Sequence, residues 1–250
     1  MKYSFEIAGL TDTGKNRPNN EDSIGFDTLD DGRIFAMVAD GMGGHRAGEI
    51  ASNITVTELQ QSLCSSQWDE SRLISTIQQI NLSIYKQAQE NNKYQGMGTT
   101  IVLACIENDS LMIAHVGDSR CYQWIEQETD NESHGILKTL TTDHSLIEEM
   151  LSQGLLEKED LAKSMRKNLL TRALGVRPGI EVTLGEYTLE NTGIILLCSD
   201  GLSDMLDEQQ LENILSAPMS LGFKCQNLID EANKAGGRDN ISVILISYSK

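Results

Sequence analysis

Four acidic segments of this 250-residue chain share one pattern, a carboxylate beside glycine, asparagine or another small residue, most of them at the edge of an apolar run. They are Asn20-Glu21-Asp22, Val38-Ala39-Asp40-Gly41, Leu197-Cys198-Ser199-Asp200-Gly201 and Arg238-Asp239-Asn240, and Gly117-Asp118-Ser119-Arg120 adds another. An apolar run that ends in Asp-Gly sets a carboxylate at the rim of a packed sheet, and glycine lets a backbone carbonyl approach a cation closely. Any one such segment reads most simply as a turn. Together they point to strand ends that converge. Converging carboxylates repel one another and hold their protons unless cations lie between them, so the pattern implies bound metal. Oxygen-only ligation selects hard ions. Four histidines (His45, His115, His134 and His144), with no H-E-x-x-H arrangement, make a zinc site improbable. Mn2+ or Mg2+ is the expected ion.

Other routes to phosphate chemistry lack their residues. No cysteine is followed six positions later by arginine, which removes the thiolate nucleophile and its cradle. G-x-S-x-G is absent. Gly9 to Asn16 nearly spells a phosphate-binding loop, yet Asn16 stands where a Ser or Thr should hold Mg2+. The following Arg17-Pro18-Asn19-Asn20 is also poor material for the required helix.

A net charge of −17 repels a phosphate backbone and argues against nucleic acid as a partner. No run approaches the roughly 18 apolar residues of a membrane span, and Met1 to Phe5 lacks an apolar signal core, so a cytoplasmic protein is expected. The five cysteines are widely spaced and read mostly as small core residues.

The elements that must position the carboxylates follow from periodicity. Strand character recurs at Tyr3 to Leu10, Ser23 to Thr28, Ile34 to Ala39, Thr99 to Ile106, Leu111 to Val116, Ser119 to Ile125 and Ile136 to Leu140. It returns at Ile180 to Tyr187, Gly193 to Cys198 and Ile241 to Ser247. Sequential neighbours are expected to pair antiparallel, with Glu107-Asn108-Asp109-Ser110 as a hairpin turn. Helices are expected from Ala47 to about Leu63 and along the stripe Leu73, Ile77, Ile80, Ile84 and Ala88. A third follows Asp207, which with Gln210 forms a capping box, and a fourth carries Leu221, Cys225, Leu228, Ile229 and Ala232 and stops at Gly236-Gly237. Strands in two blocks and helices in two pairs argue for a single-domain α+β layered sandwich, residues 1–250, with sheets inside and helices outside. Residues 144–168 interrupt the strand succession and read as an inserted flap beside a site.

Arg17-Pro18-Asn19-Asn20-Glu21-Asp22, Asp40-Gly41-Met42-Gly43-Gly44-His45, Gly98-Thr99-Thr100, Gly117-Asp118-Ser119-Arg120, Ser199-Asp200-Gly201 and Arg238-Asp239-Asn240 resemble, in order and spacing, the PPM (PP2C-type) protein phosphatases. Asp143-His144-Ser145 and Leu170 to Gly175 extend the likeness over essentially the whole chain. Met42 is similar to the bacterial branch, since eukaryotic members usually carry His there.

The resemblance implies a four-layer α-β-β-α sandwich with a dimetal centre at one end of two mainly antiparallel sheets. Asp40 would bridge both metals and Gly41 would offer its carbonyl to one. Asp200 and Asp239 would complete the other, and Glu21 and Asp22 would bind directly or through metal waters. Asp118, with Asp200 and Asp204, matches a third-metal position of bacterial members.

The implied reaction is hydrolysis of phosphoserine and phosphothreonine in proteins by water activated between two divalent cations. Arg17 is suited to clasp the substrate phosphate in a bidentate manner. His45 is the candidate proton donor to the leaving alkoxide, weighed against a histidine that merely bonds a carboxylate or caps a helix. His115 reads as a satisfied core residue and His144 as ordering the loop into the flap. The expected partners are phosphorylated proteins and a cognate Ser/Thr kinase, with the enzyme a monomer. Two other readings compete: a binding module of the same fold that has lost catalysis, and a two-metal nuclease, which the acidity opposes. One departure from the family pattern is Lys163 to Asn168, which lacks the usual His-Pro before the flap exit and leaves the flap's substrate preference open.

Overall fold

Alternate side chains of a strand face opposite ways, so a strand covered on both faces must be apolar throughout. The computed structural model describes residues 3–43, 47–65, 67–127, 134–154 and 169–250. It begins with β1 (Ser4–Asp12), β2 (Ser23–Thr28), β3 (Ile34–Ala39) and β4 (Gly41–Met42), then α1 (Ala47–Ser65) and α2 (Glu70–Glu90). Next come β5 (Gly98–Thr99), β6 (Ile101–Glu107), β7 (Ser110–Val116), β8 (Arg120–Gln127), β9 (His134–Thr139) and α3 (Leu146–Ser152). The chain continues through β10 (Thr183–Thr188), β11 (Gly193–Cys198), α4 (Asp200–Ser203), α5 (Glu208–Ser216), α6 (Leu221–Lys234) and β12 (Ile241–Ser249).

Two five-stranded antiparallel sheets result, ordered β1-β12-β11-β8-β9 and β10-β7-β6-β3-β2, with β4 and β5 as a small separate pair. Strand β3 shows the layering directly, since all six of its residues are buried. Phe35, Met37 and Ala39 pack with α1 and α2, while Ile34, Ala36 and Val38 face the other sheet. In β11, Ile194, Leu196 and Cys198 pack with α4, α5 and α6, and Ile195 and Leu197 join the core between the sheets. The fold is therefore an α-β-β-α sandwich. A one-residue slip of either strand would exchange its two apolar sets, so the register rests on the fit of side-chain shapes on each face and not on polarity.

Local signals account for most boundaries. Asp207 and Gln210 form the expected capping box of α5. Asn108 takes the left-handed conformation (φ 58°) in the two-residue turn between Glu107 and Ser110. Other expectations need correction. β7 and β8 are adjacent in sequence but lie in different sheets, as do β10 and β11. The link from β7 to β8 turns at Gly117 (φ 109°), where a side chain would meet Thr100. The strand expected at Ile180 begins only at Thr183. The short helix α4 carries no sequence periodicity that could announce it. Of the flap expected at 144–168, residues 144–154 are described and 155–168 lie outside the described residues.

Candidate metal and phosphate site

The strand registers bring the acidic segments to one end of the sandwich. Ser23 pairs with Ala39, and Ile101 with Val116, so Asp22, Asp40 and Asp118 leave one sheet at the same edge. Asp12 pairs with Ile241, and Cys198 with both Val243 and Arg120, which sets Asp239 and Asp200 at the matching edge of the other sheet. Arg17, Glu21, Asp40, Gly41, Asp118, Asp200 and Asp239 line one cavity of about 220 Å3. Asp22 sits behind its wall, 8% exposed. His45 lies outside the described residues.

The backbone around the cavity is closely tied. The Asp40 N–H donates to Thr100 Oγ1 (3.0 Å), and the Asp40 carbonyl accepts from Thr100 N (2.9 Å) and Thr99 Oγ1 (2.8 Å). Thr100 Oγ1 also meets Ser119 Oγ at 2.7 Å, so one threonine links the Asp40 and Asp118 segments. A Cβ on Gly41 would collide with the carbonyls of Gly48 and Glu21, and one on Gly201 with the carbonyl of Asn240. Only glycine fits these crossings. Asn240 is the principal tie: its Nδ2 donates to the carbonyls of Thr13 (2.8 Å) and Asn19 (2.9 Å), and its Oδ1 accepts from Glu21 N (2.8 Å). Asp22 Oδ2 accepts from Ser199 (2.8 Å) and Ser242 (2.7 Å). Ser199 therefore gives its hydroxyl to Asp22 and makes no side-chain cap for α4, whose first residue is Asp200.

The side chains are not so provided for. Glu21 Oε1, Asp22 Oδ1 and Asp200 Oδ1 are buried with no hydrogen-bond partner among the described residues. A buried carboxylate oxygen without a donor is costly and calls for an external one. Burial first, then Asp22, Asp200 and Asp118, raises Asp40 well above the ordinary carboxylate range, and it shares a hydrogen bond with Asp200. Burial and the neighbouring acids push Asp22 and Asp118 up to about 7 and Asp200 to about 6. Burial also raises Glu21, against the pull of Arg17. Among the described residues Arg17 is the one cationic side chain lining the cavity, and its Nη2 meets Asp239 Oδ2 at 2.6 Å. Its guanidinium is held charged, since Asp239, Asp40 and Glu21 outweigh the opposing effect of burial.

Among the described residues no three Asp, Glu, His or Cys side chains already stand together as a finished ligand set. The fit to cations rests on charge and on unpaired oxygens instead. Among the described residues, several carboxylates with orphaned lone pairs beside one arginine suit hard divalent ions and, once their charge is added, an anion beside Arg17.

On the far side of Asp118 and Asp200 a neighbouring cavity is lined by Arg120, Asp143, Glu148 and Asp204. Here Arg120 holds Asp143 with two bonds, Nε to Oδ1 at 2.9 Å and Nη2 to Oδ2 at 2.6 Å. His144 accepts from Gly117 N through Nδ1 (3.2 Å) and meets Thr183 Oγ1 through Nε2 (2.9 Å), so it orders the Asp118 segment as well as the flap approach. His115 is buried as expected but is not satisfied: it stacks on His144 at 4.6 Å, and its Nδ1 finds no partner among the described residues. Burial, then the neighbouring positive charge, lowers both histidines to about 4, which keeps them neutral.

Sequence reasoning passed over Ser199 and Ser242 as donors to Asp22, Thr100 as the link between two segments, and Asn240 as the tie between three. Small polar residues beside an acidic motif are the available signal, and it is a weak one.

A family model described as protein phosphatase 2C matches residues 12–227. The chain is 40% identical over 247 residues to the serine/threonine phosphatase stp of Listeria welshimeri, covering 94% of this chain and 93% of that protein. It is 38% identical over 252 residues to protein phosphatase PhpP of Streptococcus pneumoniae, covering 98% of each. Among solved structures, the S. agalactiae serine/threonine phosphatase superposes with a TM-score of 0.88 at 38% identity, over 97% of this chain and 99% of that one. The catalytic domain of the phosphatase PstP, in complex with two manganese ions, gives 0.83 at 29% identity, over 99% of this chain and 100% of that one.

Proposed function

Since this chain belongs to the protein phosphatase 2C family and is a metal-dependent protein serine/threonine phosphatase, we propose which of its residues carry the reaction. Asp40, Gly41 through its carbonyl, Asp200 and Asp239 hold two divalent ions, with Glu21 and Asp22 as direct or water-mediated ligands. Asp118 serves a third. When bound, such ions neutralise the carboxylates, draw the phosphate in and acidify water for attack on phosphorus.

The chain's own residues do the rest. Arg17 releases its single bond to Asp239 and turns its planar fork on the phosphate, where two donors match two oxygens. The same contact strengthens as charge builds on those oxygens, and so favours the transition state over the bound ester. Thr99, Thr100 and Asn240 hold the Asp40 and Glu21 backbones still, so little reorganisation remains for the chemical step. His45 gives a proton to the departing serine or threonine oxygen.

The observation that carries this reading is the gathering of five acidic chain segments, the first of which also bears Arg17, around one cavity and its back wall. The substrates are phosphoproteins. We propose further that a cognate Ser/Thr kinase opposes the enzyme and that it acts as a monomer and a single domain, with 144–168 as its flap subdomain. Among the described residues no helix is long and apolar enough to cross a membrane, and the cysteines are free thiols, which supports a place in the reducing cytoplasm.

The test is release of inorganic phosphate from a phosphothreonine peptide and from p-nitrophenyl phosphate, each titrated with Mn2+ and with Mg2+, beside calorimetric titration of the ions. Saturable ion binding with turnover that EDTA abolishes is expected. Ion-independent turnover, or ion binding without turnover of either ester, would refute the proposed roles.

A further inference from the structure

A second hollow, about 620 Å3, opens beside the carboxylate cavity, and the two share Met42 and Leu170. Its character is different. Leu169 and Val176 line it while 55% and 49% exposed, and with Leu170, Ala173 and Ile180 they make one apolar patch, the kind of surface that marks a binding groove. Among the described residues its lining charges balance: Arg172 pairs with Glu181 at 3.3 Å, and one further arginine, Arg177, and one further glutamate, Glu149, complete the lining. On a chain of net charge −17 this is neutral ground, where another protein's acidic phosphorylated segment meets little repulsion.

The groove is also built rather than slack. Asn81, fully buried in α2, donates through Nδ2 to the carbonyls of Arg177 (3.0 Å) and Pro178 (3.3 Å), and its Oδ1 accepts from Gly175 N (2.9 Å). Leu174 exchanges backbone bonds with Thr99 (2.8 and 3.1 Å), the same residue whose hydroxyl holds the Asp40 carbonyl. The backbone that carries the groove's Ala173 is thus tied to the segment that holds Asp40.

We propose that this groove seats the substrate polypeptide next to the phosphorylated residue and selects an aliphatic side chain within a few positions of it. The inference rests on the phosphatase reading of the carboxylate cavity. An extended chain advances about 3.3 Å per residue, so a segment leaving the phosphate runs directly onto Met42 and Leu170 and then meets Val176. Selection is by apolar contact, so it persists at high salt, where a charge-based preference would fade.

The experiment compares kcat/KM for two phosphothreonine peptides, one flanked by leucine and valine and one by glycine and serine, and for p-nitrophenyl phosphate, which has no flanking chain to lay in the groove while its phosphate sits in the cavity. The wild type is expected to favour the aliphatic peptide about tenfold, at low and high salt alike. Val176→Asp and Leu169→Asp, both at exposed positions, are expected to keep the wild-type melting temperature, abolish that preference through KM and leave p-nitrophenyl phosphate turnover unchanged. Equal turnover of the two peptides, a preference lost at high salt, or variants that keep the wild-type ratio would overturn the groove while leaving the phosphatase intact. Failure to hydrolyse any of the three esters would overturn both.

Discussion

Two arginine–aspartate pairs stand at the same end of the molecule, on either side of Asp118 and Asp200, and they are built for opposite ends. Arg120 and Asp143 meet through two bonds, with side chains 33% and 17% exposed, and each exhausts the other's charge. Arg17 and Asp239 meet through one bond, at 49% and 31% exposure, and Asp239 remains in a cavity with further carboxylates. A forked, half-sheltered pair is a strut. A single contact in a surplus of negative charge is a catch, which in the proposed mechanism an ion on Asp239 and a phosphate on Arg17 would open together. The difference teaches that an ion pair's role is read from how much charge it leaves over, not from its length, since the shortest contact is 2.6 Å in both.

The sharpest way to break this contrast is at the carboxylates. Asp40→Asn and Asp239→Asn are each expected to cut kcat with Mn2+ by roughly a thousandfold or more, because each removes charge from the ion site. Near-wild-type turnover in both would leave the cavity without a role. Next in size, Arg17→Ala should raise KM for a phosphothreonine peptide by roughly ten- to a hundredfold while calorimetric Mn2+ affinity holds, and Arg17→Lys should recover only part, since lysine lacks the fork.

Arg120→Ala should act on the fold instead, leaving Asp143 short of its partner and lowering the melting temperature by about 5 °C, with KM little changed. If Arg120→Ala struck KM and Arg17→Ala struck melting, the strut and the catch would have to exchange places.

The smallest effect is in pH. Asp118 stands at about 7 by burial and by Asp200, above the unfolded carboxyl at about 3.9. A raised folded value means that its stabilising share is complete below about pH 4 and is lost as pH climbs through 7. In EDTA, Asp118→Asn should therefore melt about 2–4 °C above the wild type at pH 8 and level with it at pH 4. An equal difference at both pH values would show that Asp118 carries no burial cost of charge.

Much of this was legible beforehand, for a physical reason. Asp40 and Asp200 close apolar runs, and Asp239 precedes one. In a two-layer sheet core, runs of that kind can only be strands, so their ends must be rims. The β2, β3 and β11 spans and the α5 capping box follow from period and turn chemistry alone. What sequence spacing could not convey was pairing across distance. Nothing local tells β7 and β8 to part into separate sheets, or Ser199 to bond Asp22 rather than cap its own helix. Asn240 likewise looks like any residue of a turn until Thr13, Asn19 and Glu21 are seen around it.

Strand β12 lies second in its sheet, between β1 and β11, although it is the last described strand to leave the ribosome. It brings Asp239 and Asn240 with it, and through them the anchoring of Glu21. A nascent chain that has not reached this segment has neither the strand that joins β1 to β11 nor a complete acidic cavity. A copy that stops short of Asp239 is therefore expected to lack the proposed ion site, and with it phosphatase activity.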